Sequence, residues 1–293
     1  MQQPELSIIT VNYNGIADTV QLIESLQSHL TIPYEMIVVD NGSLEDEAKM
    51  LKKQFPYIKV IRSETNLGFA GGNNLGIIHA SADLLLFINN DTYVKDDSLV
   101  HLLERMRNEP AVGGISPKIL FGDQERLIQF AGYTPLSKIT LRNSLIGFRE
   151  PDVGQYDHPI STPYLHGAAM LIRRNAIEKT GGMPEIFFLY YEELDWSLQL
   201  RRAGYQLEYN PAAKVYHKES SSVGRDSPLK AFYMTRNRLL FAKRNLSPFY
   251  RSLSIAYQIF LVLPKSVFQA LITGKSDLAM AMIKGCFAFL RLQ

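Results

Sequence analysis

Large apolar residues gather in four short runs within the first ninety positions: "LSIITV" (6–11), "MIVVD" (36–40), "IKVIR" (58–62) and "LLLFI" (84–88). They scarcely alternate with polar residues, which predicts strands covered on both faces rather than strands with one wet face. Between them the period changes. Leu22, Ile23, Leu26 and Leu30 fall at helical spacing within 16–30, and residues 71–80 and 97–107 supply two more helices. Ser43 followed by Asp46 has the spacing of a capping box opening a helix to about Gln54. This β-α-β-α order predicts an α/β fold with a mostly parallel sheet, whose ligands sit at the carboxyl ends of the strands. Each of those ends is polar: "NYN", "DNGS", "SETNLGFAGGNN" and "NNDT".

Beyond residue 119 the pattern breaks, and Pro, Gly and polar residues to about 165 predict an irregular excursion with short strands. "GAAMLIRR" (167–174) reads as a strand, and "YEELDWSLQLRRAG" (191–204) as a helix ended by Gly204. Strand-like "YQLEY" and "KVYH" follow, then a basic helix over 229–245 and an amphipathic helical tail over 249–293. The tail's apolar runs, 253–263 and 278–290, are shorter than the roughly 18–20 residues a membrane span needs. The expected division is a main domain over 1–245, with halves 1–118 and 119–245, and a tail over 246–293.

Composition narrows the setting. At 293 residues, with 46% hydrophobic and 20% charged residues, the chain suits one large domain plus an appendage. A single cysteine, Cys286, excludes an internal disulfide and fits a reducing compartment. No basic segment precedes the short apolar run of "MQQPELSIITV", so the expected location is cytoplasmic. The net charge of +2 conceals an asymmetry: residues 1–213 carry 18 Lys+Arg against 26 Asp+Glu, and residues 214–293 carry 13 against 3. The C-terminal part is therefore either a solvated basic face or a surface for an anionic partner. An inner-leaflet membrane surface is the partner expected; nucleic acid is not.

The common phosphate-binding motifs are missing. "GFAGG" lacks the G-x-G-x-x-G spacing and "TGKS" (273–276) lacks the upstream glycine of a P-loop, which disfavours dinucleotide oxidoreductases and P-loop NTPases. The strand ends remain. Asp40 could accept from a nucleobase or ribose, or hold the "NGS" turn. Thr10, Asn12, Tyr13 and Asn14 could line the same crevice, Tyr13 by stacking, or simply form a turn ended by Gly15. "NLGFAGGNN", with Asn66, Gly68, Gly72 and Asn73, permits close backbone approach to an anion or makes a flexible loop. Asn89, Asn90 and Asp91 place a carboxylate flanked by amides at a strand end, a donor set suited to a hard divalent cation that keeps positions open for phosphate oxygens. Further on, "YYEELDW" sets Glu192 and Asp195 on one helical face and Glu193 on another, and His217 ends a strand.

Taken together, "LSIITVNYNG", "IVVDNGSLED", "SETNLGFAGGNNLGI", "LFINNDTYV", "GAAMLIRRNAIEKTGGMPEIFFLYYEELDWSLQLRRAGY" and "NPAAKVYHKESSS" closely resemble family 2 glycosyltransferases, rhamnosyltransferase-like members above all. The resemblance implies a GT-A fold, a nucleotide-sugar-binding half followed by an acceptor-binding half. It implies inverting transfer from a dTDP- or UDP-linked sugar, L-rhamnose foremost, to a glycan or lipid-linked acceptor, with Mg²⁺ or Mn²⁺. In that likeness Asp91 matches the last carboxylate of the family's D-x-D metal motif, while Asn89 departs from its first. His217 matches a histidine that completes the metal site, Asp40 the residue that recognises the base, and Glu193 the catalytic base. His166, Glu192, Asp195 and Trp196 are expected in the acceptor or sugar region. The rival readings are a nucleotidyltransferase, which would release inorganic pyrophosphate, and a non-catalytic relative that only binds sugar nucleotide.

Overall fold

The computed structural model describes residues 4–218 and 227–292; the end of the last resembling motif, Glu219–Ser222, lies outside them. Strands β1 (Leu6–Asn12), β2 (Tyr34–Asp40), β3 (Lys59–Arg62) and β4 (Leu84–Ile88) pair in parallel in the order β3-β2-β1-β4. Helices α1 (Ile16–His29), α2 (Glu47–Gln54) and α3 (Gly68–His79) make the crossovers. Successive strand residues serve opposite layers. Ile8, Val38 and Leu86 join one core with Leu22, Ile23 and Leu26 of α1. Ile9, Ile37, Val39 and Phe87 join a second core under Trp196. With both faces covered, polar alternation would bury unpaired polar groups, which is why these strands are nearly all apolar.

The sheet continues past β4 as a mixed sheet. It runs through β9 (Ala169–Arg173), β6 (Val112–Phe121), β10 (Gln206–His217) and the short β5 (Thr92–Tyr93), with β7 (Ile128–Phe130) and β8 (Ile160–Ser161) on its margin. β9 runs antiparallel to both β4 and β6, whereas β10 is parallel to β6. "YQLEY" and "KVYH" are one strand, broken by a bulge between Asn210 and Lys214 where Pro211 interrupts the ladder. β6, "VGGISPKILF", is wholly buried although its glycines and proline hide it in the sequence. A Cβ on Gly113 would stand 2.6 Å from the Tyr205 ring, and one on Gly114 2.6 Å from Leu165, so close packing accounts for both glycines.

Two local expectations need correction. Asp46, not Ser43, caps α2, its carboxylate accepting from Lys49 N; the Ser43 hydroxyl is held instead by Asn14 N at 2.9 Å and Glu47 at 3.1 Å. The other concerns the tail, which follows α7 (Pro228–Asn245) and is built of α8 (Pro248–Tyr257), α9 (Leu263–Ile272) and α10 (Ser276–Arg291). α8 and α9 are continuous through a π turn at Gln258–Val262, just before Pro264, whose missing N–H leaves the Phe260 carbonyl without its usual helical donor. The resulting 25-residue helix, Pro248–Ile272, is long and apolar enough to cross a membrane, unlike the short runs counted from sequence. The count stopped before Pro264 and Lys265, but the helix runs on through both.

Between the sheet and the tail lie α4 (Leu99–Asn108), α5 (Arg174–Thr180) and α6 (Glu192–Arg202). Leu239, Leu240 and Phe241 of α7 and Phe289 of α10 share a core with Phe187, Tyr191 and Leu194. The tail is thereby packed onto the body beside the start of α6.

Candidate active site

The carboxyl ends of β1 and β2 are pinned in register, Asn12 opposite Asp40. Both side chains are fully buried and engaged. Asn12 donates to Glu47 at 2.6 Å and accepts from the Thr19 hydroxyl at 2.7 Å. Asp40 accepts from Ser43 N and Ala48 N, each at 3.2 Å, with Arg62 3.9 Å away. Asp40 thus supports the "NGS" turn, and contact with a base would need that turn to open. Thr10 is buried too, its hydroxyl without a hydrogen-bond partner. Tyr13, 44% exposed, and Asn14 face outward, Asn14 in the left-handed region (φ 50°) with its amide oxygen on Leu44 N.

The glycine-rich segment is more ordered than a flexible loop. Asn41 donates to Asn66 Oδ1 and Gly68 O and accepts from Leu67 N, all at 3.0 Å, which sets the entry into α3. Gly68 has φ 74°, and a Cβ there would stand 2.2 Å from Phe188 O. Gly72 lies against Val11, where a Cβ would meet both methyls at 2.9 Å. Asn73 is buried and donates to Phe69 O, so it serves the helix.

The "NND" stretch leaves β4 beside β10. His217 Nε2 lies 3.1 Å from Asp91 Oδ1 and 3.5 Å from Asn89 Nδ2, while His217 Nδ1 is 2.8 Å from the buried Gln129 Oε1. Because a glutamine oxygen can only accept, Nδ1 carries the hydrogen. A neutral ring then turns the Nε2 lone pair onto the carboxylate, a repulsion that a shared cation relieves; the imidazolium would instead donate to it. Asp91 and His217 therefore fit as two ligands of one divalent cation, with Gln129 orienting the imidazole. Among the described residues no three His, Cys, Asp or Glu side chains converge on one point. Asn90 is engaged elsewhere, donating to the Thr19 hydroxyl at 3.1 Å and Gly15 O at 3.3 Å.

The loop before β9 joins this centre to α6. Asn89 N donates to Ala168 O, and His166 Nδ1 accepts from Ala168 N at 3.1 Å, so His166 carries its hydrogen on Nε2. Burial, reinforced by His217, pushes the His166 pKa down to about 3, so the ring is neutral, stacked against Tyr133 at 6.0 Å. A Cβ on Gly167 would lie 3.9 Å from Glu193 Cγ: this backbone runs directly past the first turn of α6. There the two glutamates diverge. Glu192 is buried with Oε2 unpartnered; burial and then the charge of Glu193 hold it well above the usual carboxylate range. Glu193 is only partly buried, and desolvation pushes its pKa up to about 7.

Two residues expected near a sugar are structural. Trp196 is 1% exposed, donates to Gly181 O and meets Phe87 edge-on, packed where strand and helix require it. Asp195 is fully buried, 3.2 Å from Arg244 and accepting from Asn245 at 2.7 Å, and so fastens α7 to α6. Conversely, Gln129 and Tyr133 join the centre from the irregular excursion, where no sequence period marked them; a neutral polar residue amid "LIQFAGY" was the available signal.

A parallel sheet extended by an antiparallel strand, with its polar centre at the strand ends, is the GT-A arrangement of sugar-transferring enzymes. The structure of GalNAc-T7 with UDP, GalNAc and Mn²⁺ aligns over 91% of this chain and 58% of that one at TM-score 0.65 and 13% identity. Mannosyltransferase PcManGT from Pyrobaculum calidifontis, in complex with GDP-Man and Mn²⁺, aligns over 99% and 88% at TM-score 0.61 and 14% identity. In sequence the chain is 25% identical over 242 residues to the N-acetylglucosaminyl-diphospho-decaprenol L-rhamnosyltransferase of Mycobacterium tuberculosis, covering 75% of this chain and 78% of that protein. The Haloferax volcanii low-salt glycan biosynthesis hexosyltransferase Agl10 is 29% identical over 245 residues, covering 80% and 75%. The model of glycosyl transferase family 2 matches residues 7–181, and the chain belongs to that family. It is a glycosyltransferase.

Proposed function

We propose that this glycosyltransferase works with inversion, moving a sugar from a nucleoside diphosphate to an acceptor hydroxyl. The donors proposed are dTDP-L-rhamnose and, next, a UDP-hexose; the sugars accord with relatives named as an L-rhamnosyltransferase and a hexosyltransferase. The observation that carries the reading is Glu193: a carboxylate at about pKa 7, opening a helix beside the backbone that leads to Asp91 and His217. Such a group is half ionised near neutrality and strong enough as a base to take the acceptor proton while the hydroxyl attacks the anomeric carbon. Glu192 beside it is fully desolvated, and burial and then the charge of Glu193 hold its carboxyl well above the usual range. Asp91 and His217 would hold Mg²⁺ or Mn²⁺, with Asn89 beside them; when bound, the cation offsets charge on the departing diphosphate. Tyr13, Asn14 and Asn66, outward-facing at the strand ends, are the groups available to the nucleotide.

The acceptor is a cell-surface glycan or a lipid-linked sugar reached at the inner face of the membrane. Support comes from the Pro248–Ile272 helix, only 11% buried over its apolar window, and the basic C-terminal part. Its inward side is committed to protein: Ser254 donates to Ile139 O and Gln258 to Thr140 O. A helix so fastened cannot be surrounded by lipid, so it lies in the membrane plane rather than across it.

The test is nucleoside-diphosphate release from dTDP-L-rhamnose, UDP-glucose, UDP-N-acetylglucosamine and GDP-mannose, with Mn²⁺ or EDTA. A dTDP- or UDP-linked donor should be turned over only with metal, and Glu193→Gln should lower that turnover at least roughly 100-fold while donor binding persists. Equal turnover in the variant would move the base elsewhere.

A further inference from the structure

The backbone that delivers Glu193 takes an unusual path. In "IFFLYY" (186–191) Phe188, Tyr190 and Tyr191 have φ 64°, 68° and 78°, left-handed values that bulky residues avoid, just before Glu192 and Glu193. Such a turn breaks the regular ladder: Tyr191 O still takes Asp195 N and Phe188 O takes Phe69 N, but the other buried carbonyls need further donors. One helix supplies most of these. The Asn237 amide nitrogen, fully buried, reaches Phe187 O at 2.9 Å, Leu189 O at 2.7 Å and Tyr190 O at 2.9 Å. Arg236 Nη2 reaches Ile186 O at 2.9 Å and Phe187 O at 2.6 Å. Arg236 Nε also donates to Asn237 Oδ1 at 2.8 Å, which fixes the amide with its nitrogen toward the turn. Arg238 Nε completes the set on the Tyr191 hydroxyl at 2.9 Å.

We infer that Asn237, oriented by Arg236, is a positioning residue for catalysis: it holds the left-handed turn that aims Glu193 at the acceptor. The inference rests on Glu193 being the base. Asn237 never touches substrate; it acts through the turn. The same turn carries Phe188, whose carbonyl accepts from Phe69 N at 2.7 Å and abuts Gly68, so the clamp also registers the base against the glycine-rich segment. A helix that only stitched the tail to the body would need apolar contacts, which Leu239, Leu240 and Phe241 already supply. An amide spread over three carbonyls answers a different requirement, that of a backbone conformation its own residues do not favour.

The experiment uses the full chain with Mn²⁺ and whichever donor of the panel turns over, comparing wild type, Asn237→Ala, Asn237→Ser and Glu193→Gln. With the turn released, kcat in Asn237→Ala should fall about 10–100-fold, the cost of a small misplacement, with donor KM changed less than about 3-fold. The acid limb of kcat, near pH 7 in the wild type, should move down by about one unit as water reaches Glu193. The groups facing Glu193, namely Glu192, Tyr190 and Tyr133, are unchanged in the variant, so the shift reports the turn. Asn237→Ser keeps one donor and should retain intermediate kcat. Turnover within about 2-fold and a pH limb within about 0.2 units of the wild type in Asn237→Ala overturn the inference, as does a loss confined to KM. If the alanine variant does not fold, the serine variant decides by the same criteria. If neither folds, Asn237 is a folding residue and the claim falls. Full activity in Glu193→Gln would instead sink the base assignment, leaving the two failures distinguishable.

Discussion

Glu193 shows how one residue's surroundings set both chemistry and cost. Its pKa, raised to about 7 by desolvation, means that the ionised form is less comfortable in the folded enzyme than in the unfolded chain. A carboxyl whose folded pKa exceeds its unfolded one favours the fold below the unfolded value, near 4.5, and that advantage is lost as pH rises through 7. Glu193→Gln should therefore unfold like the wild type at pH 5 and be more stable at pH 8. The gain should be about 1–3 kcal/mol, tempered by the partial exposure of the group, in urea titrations at the two pH values. A gain at pH 5 instead would contradict the assignment. With Glu193 as the proposed base, activity and stability would oppose each other, because the desolvation that makes a useful base also penalises its charge.

Among elements, the glycine-rich start of α3 and the turn before α6 are mutually dependent. Gly68 lets α3 begin with φ 74° directly beneath Phe188 O. Gly68→Ala adds a Cβ where the gap is 2.2 Å, and must displace either segment. It should cost about 1–3 kcal/mol in stability and also depress donor turnover, since the turn leads to Glu193. Gly204→Ala is the control: φ 95° gives comparable backbone strain, but nothing lies within 4 Å of the new Cβ. It should lose stability without losing turnover per folded molecule. Equal turnover losses in both variants would detach the glycine-rich segment from the base.

For the whole molecule, the question is what covers the tail. Phe249, Leu253, Phe260, Phe268 and Ile272 recur every one or two turns along α8 and α9 and are 40–74% exposed. Lys265, Lys275, Lys284 and Arg291 of the same tail are exposed. Each such apolar side chain yields about 1.5–3 kcal/mol if fully withdrawn from water, and each cation about 1 kcal/mol at an anionic leaflet, screened within a Debye length. Their sum, reduced by partial insertion, would give reversible docking. Sedimentation with vesicles of rising phosphatidylglycerol content should show binding that grows with anionic lipid and weakens in salt. Substituting Phe249, Phe260 and Phe268 by Ser should abolish it. A full chain that stays in the supernatant throughout would assign the face to protein contacts.

Much of this protein was already legible along its chain. The apolar runs of β1, β2 and β4 announced a sheet buried on both sides, because no wet strand tolerates that composition, and the polar strand ends followed from how parallel sheets present ligands. The acidic pair at 192–193 and the polar "NND" were visible as residue types. Which of them is free to act was not. Asp40, Asn12 and Asp195 look like ligand-binding groups in one dimension and are consumed by turns and a helix fastening in three. β6 escaped notice because its glycines answer contacts with Tyr205 and Leu165, distant in sequence. Gln129 acquires meaning only beside His217, 88 positions away. Local periodicity is a property of neighbours along the chain, so it determines elements. Desolvation, proton ownership and backbone strain depend on neighbours in space, so only the tertiary structure could separate Glu193 from Glu192 and give Asn237 a role.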